Sequence, residues 1–199
     1  MKINLKFVYL IFLLILQGCA AALVPLTNDP IEKLNWATEL YNNQGRPLPA
    51  ERLIIEAIDI CNESNDTSCL GFAYIEYAFF FSSWSVEKWQ KHYKESGFFD
   101  KTATFENRHA KSRGYFEKAI SKFKDAKKYD ALTNAYFSLG ANYHHTTKNH
   151  KKECESYVKS LEYNLLNLKA NPAADVYLPD GYTSYKEYIT FIQKTAKCN

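Results

Sequence analysis

From residue 31 onward, apolar side chains recur every three or four positions, the period of a helix with one buried face. Ile31, Leu34, Ala37, Leu40 and Tyr41 form one such stripe, and Leu53, Ile54, Ala57, Ile58 and Cys61 form the next. Gly45-Arg46-Pro47-Leu48-Pro49 separates them as a short turn, so the pattern predicts two antiparallel helices. Asp29-Pro30-Ile31-Glu32 is the start signal of the first: Asp29 caps, Pro30 suits the first turn and Glu32 completes a capping box. Further along, Phe116, Ala119, Ile120, Phe123 and Ala126 form another stripe, with Lys118, Lys122, Lys124, Lys127 and Lys128 largely on its solvent side. After an irregular link at Asn171-Pro172 and Leu178-Pro179-Asp180-Gly181, Ser184-Tyr185-Lys186-Glu187 opens a last helix to about Thr195. The fold class predicted is all-α.

The opening of the chain follows a different pattern. Lys2 and Lys6 precede an unbroken apolar run from Phe7 to Leu16, the layout of a secretory signal. A helix of that length reaches about 15 Å, half of a hydrocarbon core of about 30 Å. Leu16-Gln17-Gly18-Cys19 then resembles the lipobox of bacterial lipoproteins, an aliphatic residue and two mostly small ones before a cysteine, with Gln17 larger than usual. The resemblance implies that residues 1–18 are a signal peptide and that Cys19 becomes the acylated first residue of the mature chain. Residues 19–28 would tether lipid to fold. Two or more acyl chains hold a protein stably on a membrane where one does not. Ala20, rather than Asp, after the cysteine implies the outer membrane, facing the periplasm. The competing reading of the residues is an uncleaved helix from Phe7 to Val24.

Cleavage changes the charge balance. The full chain carries a formal +3, and loss of two lysines leaves 23 basic residues against 22 acidic ones. A near-neutral domain offers no general electrostatic case for nucleic acid.

Residues 29–199 contain a weak internal repeat. Tyr41, Gly45, Ala50, Ile54, Ala57 and Ile58 resemble the later half of a tetratricopeptide repeat. Leu70-Gly71-Phe72-Ala73-Tyr74 supplies the family's L-G-x₂-Y core, with Tyr74 thirty-three residues after Tyr41. Leu139-Gly140-Ala141-Asn142-Tyr143 supplies it again. The resemblance, over about two-thirds of the mature chain, implies antiparallel helix pairs stacked as a short α-solenoid, closed by a C-terminal capping helix. It departs from the family where the first helix lacks L-G and where Glu153 or Cys154 replaces a small residue. A generic helical bundle is the alternative.

Tyr74 and Ser112 stand thirty-eight residues apart where the first pair has nine between Tyr41 and Ala50, so residues 79–107 read as an insertion. Residues 85–95 of it are expected to form a short helix. The insertion is rich in aromatics, and Trp84, Trp89, Tyr93, Phe98 and Phe99 are candidates for binding a partner. The opposing reading is that these rings only cover the solenoid's groove.

Four cysteines remain besides Cys19, and an even count in an exported chain favours disulfides. Cys61 and Cys69 flank a polar turn in a way similar to Sel1-like repeat proteins, where such a pair clamps neighbouring helices. That resemblance implies a Cys61–Cys69 bridge and leaves Cys154 for Cys198, with free buried thiols as the alternative. His144, His145, His150 and Glu153 lie close to Cys154 but too loosely for a metal site to be expected. G-x-S-x-G, H-E-x-x-H, P-loop and dinucleotide patterns are absent, which points away from an enzyme and names no cofactor. The expected function is a lipid-anchored scaffold for a protein partner that the sequence does not identify. An immunity lipoprotein against a periplasm-acting toxin is the sharper variant, and a carbohydrate binder or enzyme using the insertion, with Glu76 or Glu87 near the tryptophans, is the rival.

Overall fold

Asp29 opens the first helix by accepting the backbone N–H groups of Ile31 (2.8 Å) and Glu32 (3.3 Å), so two donors that a helix start leaves orphaned are satisfied. Ser184 does the same for the last helix through Glu187 N, while the Glu187 carboxylate reaches back to Thr183 N and Oγ1. The computed structural model describes residues 26–147, 149–174 and 178–198. The signal-like residues 1–18, Cys19 and the tether as far as residue 25 lie outside the described residues.

Among the described residues the fold is all-α and has nine helices: α1 (Pro30–Asn42), α2 (Pro47–Glu63), α3 (Thr67–Phe81), α4 (Trp84–Lys88), α5 (Gln90–Glu95), α6 (Arg108–Asp125), α7 (Tyr129–Thr146), α8 (His150–Ala170) and α9 (Tyr185–Thr195). The long helices pack in chain order, α1 on α2, α2 on α3, α3 on α6, α6 on α7, α7 on α8 and α8 on α9, and α1 also meets α3. None of the described helices is long and apolar enough to cross a membrane.

Two glycines set the distance within successive pairs. A Cβ added to Gly71 on α3 would lie 2.4 Å from the ring of Phe123 on α6, and one added to Gly140 on α7 would lie 2.7 Å from the ring of Tyr157 on α8. The same contact thus recurs in two pairs: a helix surface without a side chain receives an aromatic ring. The first pair has Thr38 at the corresponding place, three residues before Tyr41, and its hydroxyl bonds to Glu76 on α3. Two disulfides join neighbouring elements. Cys61–Cys69 links the end of α2 to the start of α3, and Cys154–Cys198 links the first turns of α8 to the residues after α9.

The insertion differs from expectation in two respects. Helix α3 continues through Phe81, and Phe80 and Phe81 are fully buried, so the long connection covers residues 82–107. The single helix expected over residues 85–95 is two short ones, broken where Trp89 adopts φ −95° and ψ 23°. Its indole N–H donates to Gly45 O at 3.1 Å, a bond that ties this point of the insertion to the turn between α1 and α2.

Candidate functional site

Helix α3 carries apolar and aromatic side chains on every side, with Glu76 its one charged residue, a composition that belongs to a helix covered on several sides. Phe72 and Phe79, seven residues apart on it, nevertheless remain about 40% exposed. Phe79 forms one wall of a cavity of about 500 Å³ between the end of α3, the start of α6 and the second half of α7. Phe116, Phe137 and Ala141 complete an apolar floor, and Phe79 meets Phe116 edge to face at 5.3 Å.

A fixed polar network lines one side of this cleft. Ser112 Oγ donates to Ala78 O at 2.7 Å, and Ser82 Oγ donates to Ser112 Oγ at 3.0 Å. The Asn142 amide donates to Ser82 Oγ and Ser112 Oγ at 3.1 and 3.0 Å. Arg113 donates to Asn142 Oδ1 and Thr146 Oγ1, which fixes the orientation of that amide. The network joins α3, α6 and α7 at one point, so the cleft is pre-formed. His109 and His145 also line the cleft. Burial, with Arg108 and Arg113 nearby, holds the His109 ring below its usual pKa, and its Nδ1 is buried without a hydrogen-bond partner among the described residues. An imidazole beside a fixed amide over aromatic rings is chemistry for recognising a side chain or backbone group. Among the described residues, no hydroxyl lining the cleft is hydrogen bonded to a histidine.

The candidates of the insertion divide into two groups. Trp84, Trp89 and Phe99 are exposed, at 48%, 37% and 52%. Tyr93 and Phe98 are each 1% exposed, which corrects the expectation that they face a partner. Their rings stack on each other at 4.3 Å and Phe98 packs on Phe81 at 4.9 Å, so burying the aromatic faces outweighs leaving the Tyr93 hydroxyl without a hydrogen-bond partner among the described residues. The three exposed rings stand at fixed places. Trp84 Nε1 donates to Asn42 O at 2.8 Å and Trp89 Nε1 to Gly45 O at 3.1 Å. Gly45 has φ +63°, and a Cβ there would lie 2.7 Å from the Trp84 ring, so the turn needs glycine on both counts. Phe99 is held by its backbone: its N–H donates to Glu51 Oε1 at 2.7 Å, and Tyr77 OH donates to the same oxygen at 2.7 Å. Glu51 is 2% exposed, and burial pushes its carboxyl up to about 7 against the pull of those two bonds.

Sequence reasoning singled out neither Glu51 nor the Phe79 cleft. The usable signals were a glutamate on the apolar side of α2 and two phenylalanines seven apart on a helix with no polar face. The carboxylates considered with the tryptophans are engaged elsewhere: Glu87 pairs with Arg108, and Glu76 accepts from Thr38 and from Tyr41 OH. In the histidine cluster, the buried Glu153 carboxylate meets His144 Nδ1 at 2.8 Å and His150 Nδ1 at 3.2 Å, while Cys154 is bonded to Cys198. Among the described residues no group of three or more histidines, cysteines and carboxylates is placed to hold a metal ion.

Compared with models of protein families, with curated proteins and with solved structures, the chain finds no match.

Proposed function

We propose that this chain is a lipid-anchored protein of the bacterial envelope whose stacked helix pairs hold a protein partner. The anchor rests on the lipobox-like Leu16-Gln17-Gly18-Cys19. Two disulfides in a small helical domain fit an oxidising compartment. The recurring approach of Gly71 to Phe123 and Gly140 to Tyr157 supports a tetratricopeptide-like stacking of the pairs.

The observation that carries the partner-binding reading is the cleft at Phe79. It is apolar at the floor, polar at one wall and fixed in shape before anything binds. Such a pocket accepts an anchoring side chain with little ordering cost. The test is crosslinking in intact envelopes, identification of the partner by mass spectrometry and titration of the purified pair. Phe79→Ala with Phe137→Ala is expected to weaken that titration at least about tenfold while leaving helicity unchanged. Recovery of no specific partner overturns the reading, as does a partner whose affinity ignores both phenylalanines.

A further inference from the structure

Trp89 and His92 stand between two hollows, and the charge around them is one-sided. One hollow, of about 500 Å³, lies between the start of α2, with Arg46 and Arg52, and Phe99 of the insertion. The other, of about 550 Å³, is bounded by Gly45, Lys88 and Lys91. Four permanent positive charges therefore line the pair of hollows, and Glu95 is the one carboxylate on either lining. Arg52, Lys88 and Lys91 are exposed and make no ion pair among the described residues. In a chain whose cleaved form balances 23 bases against 22 acids, such an imbalance is local and needs a local reason. The start of α2 adds to it: Arg46 at the cap makes no side-chain capping bond, and the first turn carries no acid to offset the positive end of the helix.

The dimensions narrow the occupant. Each hollow alone has the size of a site for one small group. Together, joined across Trp89, they suit something that passes from one to the other, as an extended peptide does. Trp89 and Phe99 supply rigid aromatic surface at the crossing, since the Trp89 indole is bonded to Gly45 O and the Phe99 backbone to Glu51. We infer that this face of the insertion binds an extended acidic segment of the partner, with a carboxylate on Arg52 in one hollow, a carboxylate on Lys91 in the other, and an apolar side chain between them on Trp89. The inference rests on the partner-holding function proposed above and names the chemistry of what is held.

The probe is a fluorescein-labelled synthetic peptide of about twelve residues alternating Glu and Phe, titrated by anisotropy against the full chain in phosphatidylcholine vesicles. Saturable binding is expected, weakening about tenfold or more between ~50 and ~300 mM salt. Arg52→Glu with Lys91→Glu should lose at least about tenfold in affinity, and Trp89→Ala a comparable factor. Both charged positions are exposed, so the double variant keeps its fold. A peptide alternating Lys and Phe should not bind. The inference is overturned if the acidic peptide does not bind, or binds the double variant equally well. It is also overturned if phosphatidylglycerol vesicles abolish peptide binding by the native chain, since the patch then lies on lipid headgroups. If the envelope partner is still captured through Phe79 and Phe137 while the acidic peptide fails, this inference falls and the broader reading stands.

Discussion

The Glu51 carboxylate accepts the backbone N–H of Phe99, forty-eight residues further along the chain, at 2.7 Å. One buried oxygen thereby fastens the insertion to α2, and through Tyr77 OH to α3 as well. Burial raises the Glu51 carboxyl from an ordinary value near 4.5 to about 7, so the folded protein holds this proton more tightly than the unfolded chain does. Stability from this group is therefore fully present below about pH 4.5 and is lost as pH rises through about 7, a span worth on the order of 3 kcal/mol. Thermal unfolding at pH 5 and pH 8 should show that decline in the native chain, and Glu51→Gln should remove its share of it, leaving that of Glu76, whose carboxyl burial also raises. An equal pH dependence in both proteins would remove Glu51 as its source.

Gly71 and Gly114 should respond to alanine in opposite directions. At Gly71 the new methyl meets the Phe123 ring, which is 1% exposed and has little room to move, so Gly71→Ala should cost about 1–3 kcal/mol despite the better helix propensity of alanine. Phe123→Leu in the same chain should recover part of that loss, measurable as a coupling in a double-mutant cycle. Gly114, inside α6, has no atom within 4 Å of an added Cβ, and Gly114→Ala should stabilise by about 0.5–1 kcal/mol in chemical denaturation.

The two disulfides close loops of different size, eight and forty-four residues. Loop-closure entropy makes the first worth about 2–3 kcal/mol and the second about 4. Serine at Cys61 and Cys69 should therefore lower the denaturant midpoint less than serine at Cys154 and Cys198. The reverse order would mean that strain or packing, rather than chain entropy, governs them.

Cys19→Ser should move the protein from the membrane fraction to the soluble periplasmic fraction. Intact-mass measurement of the native protein should find acyl mass on a chain that begins at residue 19. A chain that begins elsewhere, or one without lipid, would remove the anchor from the proposal.

The helices were legible because their signals are local. A 3.6-residue stripe, an Asp29 or Ser184 cap and the turn at Gly45 each need only a few neighbouring positions. The long connection between α3 and α6 was legible as a break in the spacing of the helices, but not in its interior. Trp89 and Tyr93 look alike in a list of aromatic residues, and which is covered depends on how the chain folds back: Trp89 reaches Gly45, forty-four residues away, while Tyr93 stacks on Phe98, which itself packs on Phe81 of α3. Glu51 stands on the apolar side of α2 in the sequence, but nothing local says that Phe99 and Tyr77 are the groups brought to it. The Phe79 cleft exists only where α3, α6 and α7 meet, and no stretch of sequence contains it.

Two of the three tryptophans, Trp84 and Trp89, hang by their indole N–H groups from carbonyls where α1 gives way to α2, Asn42 at the end of α1 and Gly45 in the turn. Intrinsic fluorescence of this protein is therefore mostly a reporter of one joint. During refolding, circular dichroism should follow the helices, while the emission change should wait until a segment forty residues downstream has closed on a turn already made. A lag between the two signals would time that closure directly, with no label added.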